Sequence, residues 1–151
     1  MTRFHSHRLR TGRYSADNQI YLLTTVTHNS KPIFNDVTTG RIVVKTLKNI
    51  HDLQRVSSLA FVIMPDHIHW LLQLHTEKLD SIMQAFKGVS ANKINHHLGL
   101  NGKCWQPGYH DRAIRKEEDL TVVARYIVAN PLRAGLVTTI RNYPLWDAVW
   151  L

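Results

Sequence analysis

The 151 residues carry 44% hydrophobic and 20% charged side chains, values of an ordinary folded chain the size of one domain, which exclude a fibrous repeat, extended disorder or two full domains. Lys and Arg number 19 against 11 Asp and Glu, and the formal charge of +8 favours a polyanionic partner, nucleic acid first, because neutralised phosphates release their counterions. One cysteine, Cys104, excludes an internal disulfide, and no apolar run approaches the roughly 20 residues of a bilayer span, so a cytoplasmic protein without a membrane partner is expected.

Residues 1–15 hold Arg3, Arg8, Arg10 and Arg13 with no acidic residue and read as a basic arm, a composition shared by transit peptides. From Gln19 to His28 the run is aromatic and β-branched, which predicts a strand closed by Asn29, Ser30, Lys31 and Pro32. Asn35 and Asp36 offer an N-cap to a helix in which Val43, Leu47 and Ile50 recur at helical spacing, continuing to about Arg55. Leu59 to Met64 and Ile68 to Leu74, joined by Pro65 and Asp66, predict a β-hairpin. Leu79, Ile82, Met83 and Phe86 stand at i, i+3, i+4 and i+7, the mark of a second helix that runs to about His97 and ends near Gly99. Trp105 to Ile114, interrupted by Pro107 and Gly108, predicts a short irregular strand, and a last helix starts at about Glu117. In the tail, residues 138–151, Tyr143, Trp146 and Trp150 are expected to pack their rings on the domain. The β-α-β-β-α-β order is the split βαβ of an α+β, ferredoxin-like (RRM-like) fold: one domain with an antiparallel sheet, two helices on one face, and an added C-terminal helix.

His67 and His69 are one residue apart in a predicted strand, so both imidazoles leave the same sheet face while Ile68 and Trp70 leave the other. Two neutral ring nitrogens side by side suit a divalent metal. The same spacing also suits a pair of half-exposed sheet histidines. On the last helix Leu120, Val123, Ala124, Ile127 and Val128 form an apolar stripe, whereas Val122, Tyr126 and Asn130 lie at i, i+4 and i+8 on another face. Tyr126 is therefore not needed to anchor its own helix, and Pro131 is expected to end that helix at Asn130. An off-stripe tyrosine is equally the description of a plain surface residue. Lys87, Lys93, Arg112, Arg115 and Arg133, with Arg8, Arg10 and Arg13 of the arm, are the basic candidates for nucleic-acid contact.

Met64-Pro65-Asp66-His67-Ile68-His69-Trp70, Trp105-Gln106-Pro107-Gly108-Tyr109-His110-Asp111-Arg112, and Tyr126-Ile127-Val128-Ala129-Asn130-Pro131-Leu132-Arg133-Ala134-Gly135-Leu136-Val137 together resemble the REP-associated tyrosine transposases, members of the HUH single-tyrosine nucleases. The resemblance runs from about Arg8 to Val137. It implies that His67 and His69 are metal ligands, that Asn130 takes the place of a polar third ligand, and that Tyr126 is the nucleophile. It further implies a substrate of single-stranded DNA carrying palindromic hairpins, cut and rejoined through a 5′-phosphotyrosine. Mixed nitrogen and oxygen donors point to Mg²⁺ or Mn²⁺. Tyr109, beside His110 and Asp111, is the second candidate nucleophile. The competing readings are a hairpin-binding module that does not cut and an RNA-binding domain; the latter wants exposed aromatics on the sheet face, where the histidines stand. A monomer and a homodimer are both compatible with the sequence.

Overall fold

The computed structural model describes residues 18–115 and 120–149, so Arg8, Arg10 and Arg13 of the arm, Glu117 and Trp150 lie outside the described residues. Five strands form one antiparallel sheet: β1 (Ile20–Val26), β2 (Val56–Ile63), β3 (His67–Leu74), β4 (His110–Ala113) and β5 (Trp146–Ala148), in the spatial order β4-β1-β3-β2-β5. The expected hairpin is β2–β3, in register from Val56 opposite Leu74 to Ile63 opposite Ile68, with a bulge at Leu59. Its strands are longer than their apolar runs, because backbone pairing carries through polar Ser57 opposite Gln73.

Helix α1 (Val37–Asp52) begins where expected: the Asp36 carboxylate accepts from the Thr38 backbone N–H at 3.2 Å and from the Thr39 hydroxyl at 2.7 Å. Helix α2 (Leu79–Leu98) stops at Gly99, whose φ of 67° is the left-handed C-cap geometry that glycine adopts without steric cost. Along β3, Ile68, Trp70, Leu72 and Leu74 alternate onto one face and pack beneath Val43, Leu47 and Ile50 of α1 and Ile82, Met83 and Phe86 of α2. Leu71 faces the other way, with Ile20, Ala60 and Val62, and there meets Val123, Ala124, Ile127 and Val128 of α3 (Leu120–Val128). The sheet thus has two helices on one face and the C-terminal helix across half of the other.

The C-terminal part of the chain differs further from the sequence reading. The last helix does not run to Asn130: α3 stops at Val128, Ala129 sits at φ −82° and ψ −2°, and the chain resumes as the single turn α4 (Asn130–Arg133). Pro131 lies in the first turn of α4, where an absent N–H leaves no bond unmade, so proline restarts a turn here instead of only ending one. The irregular strand is regular only over β4, and Trp105 is joined to β1's end by an isolated bridge to Thr27. The tail does pack Tyr143 and Trp146 on the domain, but it also adds β5 to the edge of β2. That addition brings Leu145 hard against Gly40 of α1, a close approach that a side chain at position 40 would obstruct. Among the described residues no helix is long and apolar enough to cross a membrane.

Candidate active site

Strand periodicity places the two histidines as expected, on the face partly covered by α3. Their rings meet edge to face with centroids 4.9 Å apart. Each is held from behind through Nδ1: the His67 Nδ1 lies 2.7 Å from Asp66 Oδ1, and the His69 Nδ1 lies 2.8 Å from Thr24 Oγ1. A carboxylate only accepts, so a neutral His67 donates from Nδ1 and keeps the lone pair on Nε2, the tautomer that a metal requires. Burial first, then the neighbouring His67 and the charge of Arg133, push the His69 imidazole down to about 4, so at neutral pH it stays uncharged. Among the described residues no group of three His, Cys, Asp or Glu side chains converges. A cation here would therefore complete its shell with amide, water or phosphate oxygen.

Tyr126 is 63% exposed, because the α3 stripe that buries Val123 and Ile127 turns it away from the sheet. The Arg133 guanidinium lies 3.8 Å from the centroid of its ring. Arg133 Nη2 also donates to Asn130 Oδ1 at 2.5 Å. The charge of Arg133 also contributes, after burial and His67, to keeping the His69 imidazole neutral. Tyr109 is placed differently: it packs against the core on the α1–α2 side, its hydroxyl donates to Asp80 of α2, and burial with that carboxylate raises its pKa.

The other basic candidates separate by sheet face. Arg112 pairs across β4–β1 with Leu22, on the histidine side. Arg115 is exposed just beyond β4. Lys87 and Lys93 are on α2, across the sheet from the histidines. Lys93 is exposed, whereas Lys87 is half-buried and donates to the carbonyls of Gln106, at 2.8 Å, and Gly108, tying α2 to the loop before β4. Two residues of the face escaped the sequence reading. Thr24 is one, since only strand pairing sets it opposite His69; His110 is the other, opposite Thr24 on its far side, the second imidazole in the row that holds His69.

The REP-associated tyrosine transposase of Escherichia coli (strain K12) is 30% identical over 87 residues, 56% of this chain and 50% of that protein, so the match spans about half the relative's length. In fold the chain is similar to a REP-associated tyrosine transposase solved bound to a REP hairpin, with a TM-score of 0.72 at 20% identity over 97% of this chain and 82% of that one. The profile of the family described as "Transposase IS200 like" matches residues 15–130, a stretch that holds the histidine pair, the tyrosine and, at its last position, Asn130. The chain belongs to the IS200-like transposase family.

Proposed function

We propose that this protein is a divalent-metal-dependent nuclease and strand transferase of single-stranded DNA, acting at palindromic hairpins through a covalent bond to Tyr126. The observation that carries the reading is a pair of imidazoles tied back through Nδ1 on the sheet face that α3 covers in part, together with a tyrosine on that helix that the core does not use. The names of the relative and of the hairpin-bound neighbour support the hairpin substrate.

The donor set fits a cation such as Mg²⁺ or Mn²⁺: His67 and His69 would hold it through Nε2, with Asn130 Oδ1 as the oxygen donor. Once bound it would polarise the scissile phosphate and stabilise charge on the leaving oxygen. Tyr126 Oη attacks the phosphorus in line while the bond to the 3′ oxygen breaks. The phenol proton passes to water, which an exposed side chain meets directly, and the leaving oxygen takes up a proton as a 3′ hydroxyl. Because the phosphodiester energy is kept in the 5′-phosphotyrosine, attack by a 3′ hydroxyl rejoins strands without a nucleotide cofactor.

The test is denaturing electrophoresis of the protein with a 3′-labelled hairpin oligonucleotide in Mg²⁺ or Mn²⁺, then mass mapping of the adduct. Tyr126→Phe removes one exposed oxygen, so it should keep stability and hairpin affinity while covalent attachment disappears. An adduct that survives in this variant, or that maps to Tyr109, overturns the assignment. Hairpin binding with no adduct in the wild-type protein would leave a binding module in its place.

A further inference from the structure

Tyr126, Asn130 and Arg133 stand at i, i+4 and i+7, and the break at Ala129 is slight enough that Arg133 still reaches both of the others. Arg133 contacts both of the others, and each contact restrains its partner. Tyr126 projects from the unpacked side of α3, and the guanidinium lying 3.8 Å from its ring centroid is the contact that fixes where the ring stands. For Asn130 the question is which end of the amide faces the site. A guanidinium carries donors only, so its bond to Asn130 selects Oδ1 over the NH₂ group, leaving that oxygen a second lone pair. The guanidinium makes both contacts at once, its carbon over the ring and an N–H to the amide oxygen, which a lysine ammonium has no geometry to do.

We propose that Arg133 is a positioning residue, locking the Tyr126 ring and the Asn130 amide into one arrangement at the end of the helix that packs on the histidine face. The inference rests on the reading of Tyr126 as nucleophile, and extends it to the residue that holds the nucleophile still. It also removes Arg133 from the set of simple phosphate contacts.

The test uses the full chain with Arg133→Lys and Arg133→Gln, two variants so that a folding defect in one leaves the other. The first readout needs no catalysis: NMR of ¹³C-labelled tyrosine rings, with the Tyr126 signal identified by its loss in Tyr126→Phe. Both variants should move that signal toward the averaged shift of a free surface tyrosine. The second readout separates rate from affinity. At saturating hairpin the cleavage rate should fall by about 100-fold in both, the scale of a misplaced reacting group, while Arg133→Lys binds the hairpin as the wild type does. An unmoved Tyr126 signal overturns the proposal, as does an unchanged rate at saturation. A defect confined to affinity, and repaired by lysine, would make Arg133 an ordinary phosphate contact. If the ring signal moves but wild-type protein forms no adduct, the positioning stands and it is the nucleophile reading that fails.

Discussion

At Thr24 one hydroxyl decides how His69 presents itself. The imidazole is buried enough that it stays neutral, and its Nδ1 is engaged 2.8 Å from Thr24 Oγ1, so the nitrogen left toward the face is Nε2. A ligand whose second nitrogen is anchored enters coordination already oriented, and losing that anchor weakens metal affinity by about 10- to 100-fold in comparable sites. Thr24→Val keeps the β-branched shape within β1 and removes only the oxygen. Mn²⁺ affinity of the DNA-free protein, followed by electron paramagnetic resonance, should fall within that range while the melting temperature holds. Equal affinity in the two proteins would show that Thr24 does not orient the ligand. His67 has the stronger anchor, since Asp66 is anionic and adjacent in sequence.

Among the elements, α1 shows how a local signal becomes stability, and α3 with α4 how it becomes a site. The Thr39 hydroxyl, with lesser help from His97 and the Thr38 N–H, holds the Asp36 carboxyl below its ordinary value of 3.8. The fold therefore favours the ionised cap, whose contribution is complete above that ordinary value and is lost as pH falls through the lowered one. Asp36→Ala should reduce the melting temperature at neutral pH, and the gap from wild type should close on acidification into that window. Asp36→Asn, which keeps one neutral acceptor for the first turn, should melt between wild type and Asp36→Ala at neutral pH. A gap that stays constant in acid would mean that the carboxylate charge is irrelevant to the cap. In α3 the apolar stripe seats the helix on Leu71 and Val62, and the restart at Pro131 then brings Arg133 back over Tyr126.

For the whole molecule, the charge of +8 sets the strength of polyanion binding, and the division of basic residues between two faces sets where it acts. Arg112 stands on the histidine face and Lys93 on α2 across the sheet, so a strand engaged at the histidines meets the first before the second. Arg112→Gln should weaken hairpin binding and lower the slope of log affinity against log salt by about 0.7, the value for one phosphate contact on a single strand. Lys93→Gln should change both less. Salt titrations of the two variants decide it, and the reverse order would place the DNA over α2.

What the sequence determined by itself was everything governed by a local period. Alternation along one strand was enough to put His67 and His69 on a common face, and the 3.6-residue repeat was enough to turn Tyr126 away from the packing stripe, because both periods are properties of a single backbone segment. The order of strands and helices followed in the same way from apolar spacing and from the punctuation of Asp36, Pro65 and Gly99. Tertiary structure alone decided how separate segments meet. The sheet face that α1 and α2 leave bare has an apolar half, Ile20, Ala60, Val62 and Leu71, and burying that half is what draws α3 to the histidine side and Tyr126 with it. Pairing between β1, β3 and β4 set Thr24 and His110 in a row with His69, though none of these strands adjoins its partner in sequence. The same holds for Lys87, whose ammonium is taken up by two loop carbonyls, and for β5, three residues that are a strand only because the edge of β2 offers unpaired backbone. Such contacts join residues tens of positions apart, and no period within one segment records them.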